Sequence, residues 1–98
     1  MPGLTSSSAE LDPRRRRLLY RAWHRGTREM DILLGRFAEA ALPGMSEADV
    51  AALEVLIEAP DPELFNWLSD GAPVPRNYDT PVFRALKAFH THRGPIHS

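Results

Sequence analysis

Apolar residues along this chain recur at intervals of three and four rather than in strict alternation, the pattern of helices that each bury one face. Five such segments are legible, separated by prolines, glycines and capping residues. Asp12 and Pro13 open the first, an N-cap followed by a proline at the position where a missing N–H costs nothing. It is expected to run to about Arg25, with Leu18, Leu19, Ala22 and Trp23 on one arc and Arg14, Arg17, Arg21, His24 and Arg25 gathered opposite. Gly26 then interrupts as a left-handed cap, and Thr27 caps a second helix from Arg28 to about Ala41. Glu29 and Asp31 fall in its first turn, where the macrodipole favours acids. Met30, Leu33, Leu34, Phe37 and Ala41 share its core face. Glu29, Ile32 and Arg36 line another side, where an isoleucine has no core duty.

Leu42-Pro43-Gly44 stops the second helix, and Ser46 caps a third whose face Val50, Leu53, Leu56 and Ile57 opposes Glu47, Glu54 and Glu58. After Pro60, Asp61 and Pro62 restart a short fourth helix by the same cap-then-proline logic. Leu64, Phe65 and Leu68 are expected inside it, and Trp67, on the edge of that arc, partly exposed. Ala72 to Asp79 reads as a loop, and Thr80-Pro81 opens a fifth helix with Val82, Leu86 and Phe89 inward. The expected fold is all-α, a compact five-helix bundle over residues 12–92. A disordered lead-in, 1–11, and a flexible tail, 93–98, flank it.

Ninety-eight residues leave room for one domain, and the absence of Cys removes disulfide scaffolds and Cys-ligated metal sites. The longest apolar runs fall far short of the ~20 residues that span a bilayer, and the start lacks the features of a secretory signal. A bacterial cytoplasmic protein that does not insert in membranes is expected. No glycine-rich phosphate loop or His-Glu-x-x-His signature is present. His90 and His92 point about 200° apart on a helix and cannot share a metal there. The inventory therefore points away from an enzyme, with no catalytic residue and no metal ligand assigned.

Net charge is −1, but its partition is sharp: Arg14 to Arg28 contain seven Arg and no acid, while Glu29 to Asp70 contain ten acids and only Arg36 as a base. The basic stripe is either a solvated face or a dock for an anionic partner. A small Arg-rich module binding nucleic acid, or acting as a transcriptional partner, is the alternative reading. The acidic block lies within a few Debye lengths of any such duplex, and a pI near 6.4 falls short of the usual basic balance.

The segment Arg25-Gly26-Thr27-Arg28-Glu29 is more specific. Arg-Gly-x-x-Glu followed by Met30-Asp31-Ile32, then Asp61-Pro62-Glu63-Leu64-Phe65-Asn66-Trp67-Leu68, then Arg93-Gly94-Pro95, resembles the succinate dehydrogenase flavinylation factors, the FAD assembly factor or SdhE family. The three motifs occur in order from about Arg15 to Ile96. The resemblance implies a helical bundle that binds the flavoprotein subunit of succinate dehydrogenase and, in some bacteria, of fumarate reductase. It implies an assembly factor, a chaperone that promotes covalent attachment of FAD to a histidine of that partner. On this reading the chain holds no FAD stably, acts on FAD held by the partner, binds no nucleic acid, and is a monomer when free. Arg25, Gly26 and Glu29 match the family's contact motif, and Arg28 sits within it.

From the helical wheel, Ile32 and Arg36 extend that contact along the second helix, and Arg14, Arg17 and Arg21 lead up to it and steer encounter. Gly26 permits close backbone approach, while Arg25 and Glu29 make charge-assisted hydrogen bonds to the partner. Loss of Arg25 is expected to weaken the complex without unfolding the domain.

Overall fold

Each helix start is set by a short polar side chain or a proline, and the computed structural model, which describes residues 11–96 with side chains as far as Thr91, follows most of the expected boundaries. Helix α1 spans Pro13–Trp23, α2 Arg28–Ala41, α3 Glu47–Ile57, α4 Asp61–Leu68 and α5 Pro81–Ile96. Single 3₁₀ turns lie at Leu42–Gly44 and Arg76–Tyr78. Asp12 Oδ1 accepts from Arg15 N at 2.8 Å, Ser46 Oγ from Asp49 N at 3.1 Å, and Thr80 Oγ1 from Phe83 N at 3.2 Å, satisfying donors that a helix start leaves open.

Two caps differ from expectation, for one reason. Thr27 holds the N-cap position of α2 without a side-chain capping bond, and Asp61 is the first residue of α4, the cap position being Pro60. Both side chains turn to each other, Thr27 Oγ1 donating to Asp61 Oδ2 at 3.3 Å. A tertiary contact has taken the groups that local capping would use.

The core forms where the apolar stripes meet. Leu18, Leu19 and Ala22 of α1 pack with Met30, Leu33, Leu34 and Phe37 of α2, Val50, Leu53, Leu56 and Ile57 of α3, Leu64 and Leu68 of α4, and Val82, Phe83 and Leu86 of α5. Burying a side chain of this size contributes roughly 1.5–3 kcal/mol. Trp23 and Phe89 pack against this cluster from its rim. Gly35, not singled out by the periodicity, is buried because the Trp23 indole lies on it; a Cβ there would fall inside the ring's van der Waals shell.

In α4 the expected assignments exchange. Trp67 is buried at 7% exposure and Phe65 is 46% exposed. The 3₁₀ turn at Arg76–Tyr78, within a stretch that reads as plain loop, brings the Tyr78 ring to 4.9 Å from Trp67 and covers it. Phe65 is left on the outer side, edge-on to His90 at 6.0 Å. At the termini, Leu11 is buried in the core rather than part of a lead-in, and α5 continues through Gly94 and Pro95 to Ile96. In a last turn, proline removes few helical bonds. Residues 1–10 of the expected lead-in, and His97 and Ser98 of the expected tail, lie outside the described residues.

The Arg stripe of α1 faces the acids of α3. Arg14 grips Glu54 with two bonds, Nε to Oε2 at 2.9 Å and Nη2 to Oε1 at 2.7 Å, and reaches Glu47 at 3.0 Å. Arg21 meets Glu58 at 2.5 Å, and Arg15 joins Asp12 to the Met45 carbonyl. The Arg14 hydrogen bond holds the Glu54 carboxyl below its ordinary 4.5, against a smaller opposing effect of burial. A carboxyl whose folded pKa is depressed adds stability that is present above its unfolded pKa and is lost as pH falls through the folded value.

Two outcomes follow from this packing. Arg14→Leu should destabilise the domain at neutral pH, and the gap from the wild type should close as pH drops below 4.5; a gap independent of pH in urea titrations would contradict the pairing. Gly35→Ala should lower unfolding free energy by about 1–3 kcal/mol through overpacking, despite the ~1 kcal/mol that alanine otherwise gains in a helix. A more stable Gly35→Ala protein would show that the indole moves aside freely.

Candidate functional site

The corner between α1 and α2 is built from backbone first. Gly26 has φ +117°, a conformation that disfavours any residue with a Cβ, so glycine is required for the chain to turn here. The turn is fixed by Asp31, whose Oδ1 accepts from the backbone N–H of both Arg25 and Gly26, the latter at 3.1 Å. Sequence reasoning placed Asp31 only as a dipole-matched acid; its spacing after the glycine is the signal that could have suggested a closing acceptor.

Arg25 enters this corner and turns inward, where the sequence reading has it reaching out to a partner. Its side chain is 8% exposed, and all three guanidinium nitrogens donate within the chain. Nε and Nη2 both donate to Asp61 Oδ1, at 2.8 and 2.5 Å, Nη2 also donates to the Ala59 carbonyl at 2.6 Å, and Nη1 to the Ile57 carbonyl. The cation therefore sits where α3 ends and α4 begins, facing the negative pole of one helix and the acid at the start of the other. Four of its five N–H donors are thus taken within the chain. Asp61 was read as a cap, and a contact spanning 36 residues of sequence carries no local signal.

With Arg25 withdrawn, the outer surface of the corner is formed by Gly26, Arg28, Glu29, Ile32 and Arg36, all exposed. Residues 28, 32 and 36 are spaced one turn apart, and Glu29 lies beside them, so they make a single stripe along α2. Among the described residues Arg28, Glu29 and Arg36 have no ion-pair partner. A groove of about 420 Å³ adjoins this stripe, lined by Thr27, Glu29, Met30, Asp61, Pro62 and Phe65. Nothing stands within 4 Å of the space a Gly26 Cβ would take, so the backbone there is open to approach.

The expected steering residues divide. Arg14 and Arg21 are engaged by Glu54 and Glu58, whereas Arg17 is exposed and lines a shallow groove of about 470 Å³ with Arg16 and Tyr20. Four arginines of the basic block, Arg14, Arg15, Arg21 and Arg25, thus neutralise acids of the same chain. That weakens the case for a phosphate-binding face, because each would have to release a carboxylate first.

A family model described as flavinator of succinate dehydrogenase matches residues 16–90, a span that includes the whole corner and α4. The chain belongs to this family. Among curated relatives of this flavinator-family chain, the FAD assembly factor SdhE of Acetobacter pasteurianus is 46% identical over 76 residues, 78% of this chain and 70% of that one. The mitochondrial succinate dehydrogenase assembly factor 2 of Dictyostelium discoideum is 31% identical over 93 residues, 95% of this chain and 65% of its own length. That of Danio rerio is 39% identical over 85 residues, 85% and 54% respectively. The chain thus spans between half and two thirds of these mitochondrial relatives. No solved structure matches it. The family is one of assembly factors rather than of enzymes, and among the described residues no helix is long and apolar enough to cross a membrane.

The geometry separates holding residues from presenting ones by stability. Arg25→Ala should lower unfolding free energy by about 3–5 kcal/mol, because it strands the Asp61 carboxylate and two carbonyls, whereas Glu29→Ala should change it by no more than about 0.5 kcal/mol. Chemical denaturation of the two variants checks this, and equal stabilities would remove the structural role of Arg25.

Proposed function

We propose that this protein is an assembly factor that binds the flavoprotein subunit of succinate dehydrogenase through the exposed stripe Gly26, Arg28, Glu29, Ile32 and Arg36, and promotes covalent attachment of FAD to a histidine of that subunit. The observation that carries the reading is the division of labour within Arg25-Gly26-x-x-Glu29: the arginine is locked inside while the glycine and the glutamate face solvent at an open corner. An exposed carboxylate without a partner among the described residues, beside a backbone open to approach, is suited to charge-assisted recognition of another protein. The names of the relatives supply the direction, since they are an FAD assembly factor and succinate dehydrogenase assembly factors.

FAD enters as the partner's cofactor. Of the two carboxylates on the groove at the corner, Asp61 is compensated by Arg25, and the exposed Glu29 would repel a flavin diphosphate, so these residues do not favour FAD itself. Covalent attachment requires the flavin to be held against the accepting imidazole in a near-attack geometry, which is worth many powers of ten in rate. A binding protein supports it by favouring the flavoprotein conformation in which that geometry holds. The same reading extends to the flavoprotein subunit of fumarate reductase.

Co-expression of the flavoprotein subunit with this chain should raise its covalent flavin content, read as in-gel flavin fluorescence after denaturation. Glu29→Ala should lower that content while the variant stays folded. Wild-type levels with Glu29→Ala would remove Glu29 from the contact, and no effect of the wild-type chain would remove the function.

A further inference from the structure

Phe65 lies in the Asp61 to Leu68 motif that the sequence reads as core, yet the residue is 46% exposed and forms one wall of the groove beside the corner. Met30 and Pro62 supply further apolar surface, and Glu29 stands at the rim. We infer that this groove is a second part of the docking surface, taking an apolar side chain of the partner flanked by a cationic one, with Phe65 as the anchor and Glu29 as the counter-charge. The inference rests on the proposed function and adds to it a site outside the Arg-Gly-x-x-Glu segment.

Charge complementarity selects the occupant. Two carboxylates line the groove, but they are not equivalent. Asp61 is already engaged, its charge compensated by Arg25 at Oδ1 and its Oδ2 accepting from the Thr27 hydroxyl. Glu29 has no cation or hydrogen-bond donor among the described residues. A wholly apolar segment would desolvate that carboxylate without compensation, and an acidic one would meet like charge. A segment with an aliphatic or aromatic side chain next to Lys or Arg satisfies both the floor and the rim. Aromatic residues, Phe among them, are enriched at the cores of protein interfaces.

Because Arg25 fixes Asp61 and hence the start of α4, the distance between the corner and Phe65 is set by the fold rather than by the partner. The groove is present before binding, which reduces the ordering cost of association. Trp67, two residues on, faces the opposite way and holds α4 through Tyr78, so Phe65 can change without disturbing it.

The test measures binding of purified flavoprotein subunit to the wild type, Phe65→Ser, Phe65→Leu and Glu29→Gln by titration calorimetry, with thermal melts of each. Phe65→Ser should melt cooperatively within a few degrees of the wild type and bind about tenfold or more weakly, while Phe65→Leu retains most of the affinity. Raising salt should weaken the wild type more steeply than Glu29→Gln. Unchanged affinity in Phe65→Ser, with the wild type binding, overturns the groove and leaves the proposed function standing. Loss of cooperative melting in Phe65→Ser would make it a core residue and also overturn the groove. Equal salt dependence of the wild type and Glu29→Gln overturns the cationic occupant, and failure of the wild type to bind overturns the function itself.

Discussion

The ion pair of Arg25 with Asp61 is the constraint on which the rest of the molecule depends. One guanidinium reaches the carbonyl at the end of α3, a carbonyl in the turn that follows, and the carboxylate that begins α4, while its own backbone N–H is tied to Asp31 at the start of α2. Four helices therefore meet at one residue. A pair this buried contributes little net energy over an apolar substitute, because both charges lose solvent. Its effect is on geometry: it sets the register in which the corner, the groove and α4 stand relative to each other.

From this follows the way a small bundle can present a rigid surface. The core is made almost wholly of aliphatic side chains, and stacked helices of such residues can slide with little change in energy. Directional groups are needed to fix position. They lie along α1 and the turn that follows it, where Arg14, Arg21 and Arg25 meet Glu54, Glu58 and Asp61 in the same order along the chain. The partition of charge in the sequence, basic in α1 and acidic from α2 to α4, is thus mainly an internal complement. What remains unpaired among the described residues at the corner, Arg28, Glu29 and Arg36, is by that contrast available for recognition.

Helix existence, most caps and the apolar faces of α1, α2 and α3 were legible because they depend on neighbours within a turn or two. The Arg25–Asp61 pair was not, although both residues stood out, because a capping acid and a tertiary acid have the same identity and the same local spacing. Motif membership leaves direction open for a related reason: Arg25, Gly26 and Glu29 form one string in sequence, but φ +117° at Gly26 turns the chain so that the arginine faces inward and the glutamate outward. A shared motif does not mean a shared direction.

The exchange of Phe65 and Trp67 shows the same limit from the apolar side. On a wheel of eight residues Leu64, Phe65, Trp67 and Leu68 spread over about 160°, with Phe65 and Trp67 at its two edges, and propensity does not say which edge is left out. The answer lies in the 3₁₀ turn at Arg76–Tyr78, which lays Tyr78 over Trp67 and leaves the Phe65 side of α4 facing the corner. An aromatic kept at the surface next to a carboxylate that is unpaired among the described residues has a cost in water that packing nearby could have removed, since Trp67 and Leu68 show that α4 has an inner face to offer. That the exposed aromatic lies on the side of the Gly26 corner, and not on the side covered by Tyr78, ties α4 to the same surface as the Arg-Gly-x-x-Glu segment and makes the two motifs parts of one face.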